Sequence, residues 1–139
     1  MTREDLYKCR NIEMGIKSSR EIYEIKFNQA VKTTQILSDM PKAINKVSDT
    51  LEELIDFYNK MIREKEKESK ELIMGIERQL ALMEDERYVS ILRYYYIGGL
   101  TIKETAERIG YEEKYTTKLK GDAIENFETY HETYHTKKG

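Results

Sequence analysis

The chain has 139 residues and a mass of 16.6 kDa, with 24 Lys and Arg against 26 Asp and Glu, so its formal net charge is −2. One cysteine excludes a disulfide framework and any zinc site built on paired cysteines, and the −2 excludes a globally basic nucleic-acid binder. No run approaches the roughly 18 consecutive apolar residues of a membrane span, and the start Met1-Thr2-Arg3-Glu4-Asp5 lacks the apolar core of a signal peptide, so the expectation is a cytoplasmic protein with no membrane partner.

A single proline and few glycines predict long helices. Thr2 reads as the cap of the first, with Asp5 three residues on. Apolar or small residues then recur at Cys9, Ile12, Ile16, Ser19, Tyr23, Phe27, Ala30, Thr34 and Leu37, in steps of three and four that define one helical face. Pro41 punctuates the pattern, with Ser38 or Asp39 as cap and Pro41 in the first turn of a new helix. The same stepping returns at Ile44, Val47, Leu51, Leu54, Tyr58 and Met61, then Leu72, Ile76, Leu80 and Met83. Two such helices joined by a short turn lie antiparallel, so a turn near residue 40 sets position i against about 80 − i. Ile22, Ile25 and Ile36 lie off the first seam, and Ile55, Ile62 and Ile73 off the second. A second apolar face favours a homo-oligomer, a dimer first; the alternative is a broad stripe on a monomer.

The run Arg63-Glu64-Lys65-Glu66-Lys67-Glu68-Ser69-Lys70-Glu71 has no apolar residue. It reads as a solvated helix held by pairs such as Arg63–Glu66 and Glu66–Lys70, with a flexible seam as the alternative.

The texture changes after residue 83. Eight of the eleven tyrosines lie at or beyond Tyr88. A helix over Glu86–Ile97 puts Val89, Leu92 and Tyr96 on one face, with Ile91 and Tyr95 beside it. Gly98-Gly99-Leu100 turns the chain. Thr101 caps a second helix, Ile102–Ile109, and Glu104 completes a capping box. Gly110 ends that helix, and a third starts near Glu112 or Glu113 and runs to about Tyr134. Ala106, then Gly110 four residues later, then Thr116 and Leu119 as inward positions, is the spacing of a helix-turn-helix, with Ile109 and Tyr111 buried beside the turn. The alternative is an ordinary three-helix cluster. The expected fold is therefore all-α: a long antiparallel, coiled-coil-like helical hairpin over 1–83, then a small helix-turn-helix domain with a helical tail over 84–139.

Arg87-Tyr88-Val89-Ser90-Ile91-Leu92-Arg93-Tyr94, Gly99-Leu100-Thr101, the stretch from Glu104 to Tyr111, and Ala123-Ile124 together resemble region four of bacterial sigma factors. A long helical hairpin before such a module, and Ser38-Asp39-Met40-Pro41 within it, is similar to phage and prophage late-gene regulators of the RinA and ArpU type. The chain departs from that pattern at Ile102, where an aromatic is common, and at Glu112, where Ser or Thr usually caps the third helix. The resemblance implies a DNA-binding transcriptional regulator in a bacterial host, with double-stranded DNA as partner and RNA polymerase as a possible further one.

If the third helix enters a major groove, Glu113, Lys114, Tyr115, Thr117, Lys118 and Lys120 face out or sideways. Lys114 or Lys118 suits guanine O6 and N7, Thr117 and Tyr115 a thymine methyl or a phosphate, and Glu113 cytosine N4. Thr101, Lys103 and Arg108 are candidate phosphate contacts. Charge argues against strong binding: from Glu84 to Gly139 there are nine Lys and Arg against eleven Asp and Glu. About three or four phosphate contacts per module bind weakly, so assembly is part of the expectation.

His131-Glu132-Thr133-Tyr134-His135 matches H-E-x-x-H, but only four residues follow and no third ligand is evident, so neither a peptidase nor a metal site is expected. Without a phosphate-binding loop or nucleophile motif, no enzyme and no cofactor is expected either. Two rivals remain: a phage packaging-initiation DNA-binding subunit, and an interaction module that contacts polymerase without reading DNA.

Overall fold

The computed structural model describes residues 1–36 and 41–131, with side chains outside 33–49. The expected turn near residue 40, the caps Ser38 and Asp39, Leu37, and the tail from Glu132 through Tyr134 to His135 lie outside those residues, as do the side chains of Thr34, Ile36, Ile44 and Val47. Every element described is helical: α1 Arg3–Ile36, α2 Pro41–Leu80, α3 Glu86–Leu92 continuing into a π-helical turn Arg93–Ile97, α4 Ile102–Ile109 and α5 Glu113–Thr129. No described helix is long and apolar enough to cross a membrane. The fold is a helical hairpin plus a small helical domain.

The chain divides into two compact units, one of Met1–Met14 with Glu68–Gly139, the other of Gly15–Lys67. In the Gly15–Lys67 unit, α1 and α2 run antiparallel, with Arg20 paired to Glu66 and the Tyr23 and Tyr58 rings 6.4 Å apart. Ile16 and Ser19 are its buried residues among those described. The stripe thins towards its far end, where Phe27, expected on the seam, is 38% exposed.

In the other unit, Ser69 donates to Glu13 and Lys8 lies 3.5 Å from Glu68. α2 is helical through the whole charged run 63–71, and there Ser69 is buried rather than solvated. Glu66 and Glu68 reach across to α1, each within its own unit, because a carboxylate facing a basic residue on the neighbouring helix needs no apolar seam.

The core of this unit is continuous. Leu6 and Cys9 of α1, with Ile76 and Leu80 of α2, are buried in one cluster with Ile91, Leu92, Tyr96, Leu119, Ile124 and Phe127. The expected boundary at 83/84 is not where the units part, which is 14/15 and 67/68. Three short helices carry too little apolar surface to close a core, and the open end of the hairpin supplies the rest. Burial pushes the Cys9 thiol up to about 12, as expected of a packing residue rather than a reactive one.

Gln79 is fully buried at the centre of this junction. Its amide donates to the Met1 carbonyl and the Phe127 carbonyl, each at 2.8 Å, and its oxygen accepts from the Met1 amine at 2.9 Å. That amine, 2.6 Å from His131 Nδ1, is held below its usual range by burial. Arg3 clasps Glu128 through Nε at 2.8 Å, holding that carboxyl below its ordinary range. Two boundaries differ from expectation. α2 stops at Leu80 and not about 83, and α5 stops at Thr129, where the Tyr130 amide bonds back to the Phe127 carbonyl.

Candidate nucleic-acid interface

The turn between α4 and α5 follows from its residues. Thr101 Oγ1 accepts from the Glu104 amide at 3.1 Å while the Glu104 carboxylate accepts from the Thr101 amide at 3.1 Å, which satisfies two donors at the α4 N-terminus. At the other end Gly110 takes φ 80°, a left-handed conformation that a Cβ would penalise. The Gly110 and Tyr111 amides both bond the Ala106 carbonyl, at 2.9 and 3.1 Å. Glu112 then precedes α5 in extended conformation without a side-chain cap, as its length implies.

α5 packs across α3 and α4. Ala106, Thr116 and Leu119 are buried in this arrangement and Ile109 is half-buried. Tyr111 corrects the expectation of burial: it is 40% exposed and lies against Tyr115, ring centroids 5.0 Å apart. A phenol at the rim keeps its hydroxyl in water while its ring finds an aromatic neighbour.

Glu113, Lys114, Tyr115, Thr117 and Lys118 are all exposed on α5, and Thr101, Lys103 and Arg108 are exposed on or beside α4. Thr117 is partly committed, since its hydroxyl donates to the Glu113 carbonyl at 3.0 Å. Thr101 accepts in its capping box and keeps its own O–H free to donate. Lys120 differs from the rest. It is half-buried, and its ammonium sits 4.3 Å from the Tyr95 ring centre. The opposite claim on that ring comes from Arg10, whose guanidinium carbon is 3.8 Å from the centroid and which donates to the Tyr95 and Leu100 carbonyls. Two cations thus share one aromatic ring, and Lys120 is drawn away from its exposed neighbours.

The tyrosine-rich segment before the turn forms the π-helical stretch. The Gly98 amide bonds the Arg93 carbonyl at 2.8 Å, five residues back, and Leu100 bonds Tyr94. A Cβ at Gly98 would meet the Tyr94 carbonyl oxygen at 2.7 Å, so the close backbone approach requires glycine. Arg93 anchors this segment through a fork to Glu77, at 2.8 and 2.7 Å.

Arg87, on α3, lies beside the candidate surface; the sequence placed it in the sigma-like stretch but gave it no contact. It forks onto Asp85, which its hydrogen bond holds below the ordinary carboxylate range, and it donates to the Tyr115 hydroxyl at 3.3 Å. An open cleft of about 250 Å³ beside it is lined by Arg87, Ser90, Tyr94, Arg108 and Tyr111, with Glu86 as the opposing charge. Arg10 and Arg87 are invisible to periodicity because their partners are set by long-range packing. Leu6 and Gln79 were findable: Leu6 is three residues before Cys9, and Gln79 three after Ile76, on stripes already drawn.

The pairing also refines the charge argument. Glu77, Asp85 and Glu128 are spent on Arg93, Arg87 and Arg3. Lys103, Arg108, Lys114 and Lys118 form no ion pair with another described residue.

No described group of His, Cys, Asp and Glu could hold a metal ion, and His135 of the H-E-x-x-H match lies outside the described residues. Comparison with protein-family models, with curated proteins and with solved structures gives no match.

One anomaly lies under the interface. Thr105 and Thr116 are fully buried, and neither hydroxyl has a hydrogen-bond partner among the described residues. An unpaired buried hydroxyl costs about 1–3 kcal/mol, so Thr116→Val is expected to stabilise the protein by about 1 kcal/mol. The urea midpoint should rise with an unchanged slope; a lower midpoint would show that the hydroxyl is satisfied after all.

Proposed function

We propose that the chain is a DNA-binding transcriptional regulator of the phage and prophage late-gene type, acting in the bacterial cytoplasm by recruitment and without chemistry. The observation that carries this reading is the α4–Gly110–α5 turn, which buries Ala106, Thr116 and Leu119 and leaves Lys114, Tyr115, Thr117 and Lys118 exposed on one helix. α5 is the reading helix. Lys114 and Lys118 donate to guanine, Glu113 accepts from cytosine, and Tyr115 and Thr117 meet a thymine methyl or a phosphate. Thr101, Lys103 and Arg108 hold the backbone. Lys120 serves in packing on Tyr95 rather than in base contact.

So few phosphate contacts per module make binding salt-sensitive and dependent on a second module or on RNA polymerase. A second reading, an interaction surface that does not read DNA, is favoured by the exposed Tyr111–Tyr115 pair beside an acidic balance.

Selection of bound sequences from random duplex DNA by the full chain at low salt distinguishes the two. One enriched sequence is expected, with Lys118→Ala weakening its binding by about 1–3 kcal/mol and relaxing preference at one base pair. Tyr115→Ala should weaken it as well. Failure to enrich any sequence removes the DNA reading.

A further inference from the structure

Lys120 has a resting place but no acid to pair with. Its α5 neighbours at spacings of three and four are Thr116, Thr117, Ala123 and Ile124, none of them acidic. Its ammonium forms no ion pair and no hydrogen bond with another described residue. An ammonium carries three donors, and here the protein answers them only with the Tyr95 ring, 4.3 Å away at its centre. The residue is half-buried, so water makes good only part of that deficit.

The ring is also contested. Arg10 of α1 brings a second positive charge to it, its guanidinium carbon 3.8 Å from the same centre. Arg10 is tied there by the Tyr95 and Leu100 carbonyls, at 2.5 and 2.8 Å, and it too forms no ion pair with a described residue. Two like charges on one ring lie inside the screening length of about 10 Å at 0.1 M salt and oppose each other. The two cations are not equally free to move. Arg10 would give up two hydrogen bonds, whereas Lys120 would give up one contact with a ring, worth about two- to fivefold in an equilibrium at an exposed site. Its flexible four-carbon stem lets the charge swing without moving the backbone.

The place where it would swing is set by Arg10. The same guanidinium that covers Tyr95 holds the Leu100 carbonyl, so the ring lies beside the residue that precedes Thr101. Thr101 is one of the groups that the proposed function sets on the DNA backbone. A phosphate there would offer Lys120 charge-assisted hydrogen bonds that the ring cannot.

We infer that Lys120 is a stored phosphate contact: its ammonium rests on Tyr95 in the free chain, and a backbone phosphate of double-stranded DNA draws it off the ring, which is left to Arg10. The inference rests on the DNA reading of α5 and adds a phosphate contact that the exposed side chains do not supply.

Two measurements on the full chain test it, both with the duplex enriched by the selection experiment. The first is the salt dependence of binding. Lys120→Met keeps an apolar stem over the ring and removes the charge, and the slope of log K against log salt should become shallower by about 0.9, the value of one phosphate contact. Lys120→Gln should give the same slope, and Lys17→Met, the same loss of charge on the hairpin, should leave it unchanged. The second is the proton resonance of the Lys120 ε-methylene. The ring should hold it upfield in the free chain, and adding the duplex should return it to the ordinary lysine position. Equal slopes for Lys120→Met and wild type overturn the inference, as does an equal effect of Lys17→Met or a resonance that stays upfield in the complex. If the wild type binds and these changes are missing, only the role of Lys120 falls. If the wild type binds no duplex at low salt, the DNA reading falls and this inference with it.

Discussion

A fragment of residues 84–139 is expected to be unfolded under conditions where the full chain is folded. It contains the whole helix-turn-helix, so sequence reasoning alone would treat it as a domain. The core says otherwise, because Leu6, Ile76, Leu80 and Met83 are buried against Leu92, Ile124 and Phe127. Full burial of each such side chain is worth about 1.5–3 kcal/mol, and four of them together rival the about 5–15 kcal/mol stability of a typical domain. Truncation also removes Gln79 from the Phe127 carbonyl, Arg3 from Glu128 and Arg10 from the Tyr95 and Leu100 carbonyls. Circular dichroism and amide dispersion in a proton–nitrogen spectrum check this. A fragment with a cooperative melt of its own would show that the three short helices close their core unaided. Comparing DNA binding by this fragment and by the full chain would confound assembly with folding.

Phe127→Ala is expected to cost about 3–5 kcal/mol of folding stability, the range for a fully buried aromatic truncated to a methyl. Phe127 is the largest fully buried side chain, at 0% exposure, and its own carbonyl receives the Gln79 amide. The cavity would open where α5 meets the hairpin end, and relaxation of α5 to fill it would strain that hydrogen bond. Met74→Ala, at a residue 45% exposed in the same unit, should change stability by no more than about 0.5 kcal/mol. Urea unfolding of both proteins, monitored by helicity, gives the comparison. Equal effects at the two positions would refute the shared core.

Much of the helix-turn-helix was legible because its determinants are local. The Thr101–Glu104 capping box and the left-handed Gly110 are set by neighbours three and four residues away, and both occur where expected. The inward positions Thr116 and Leu119 follow from the same turn. Tyr111 was misplaced because amphipathic residues sit at the rim, and periodicity does not distinguish rim from core. The candidate readers on α5 share exposure, but Lys120 leaves them for Tyr95, a residue 25 positions earlier. No spacing rule in α5 reports that ring.

By itself the sequence determined the helices, the α4 capping box and the antiparallel register that brings Tyr23 to Tyr58 and Met1 to Gln79. Those features depend on hydrophobic steps of three and four and on turn chemistry, which are properties of short windows. Only the tertiary structure decided where the chain divides, that Gln79 lies buried under three hydrogen bonds, and that Arg10, Arg87 and Arg93 brace the tyrosine-rich segment and its neighbours. Those outcomes depend on which distant segments meet. The small helices lack enough apolar surface to close alone, so they recruit Leu6, Cys9, Ile76 and Leu80 from the hairpin. The net charge of −2, which at first stood against nucleic acid, is unchanged by these ion pairs, since each removes one acid and one base; what the structure adds is an exposed Lys114 and Lys118 without an ion-pair partner among the described residues.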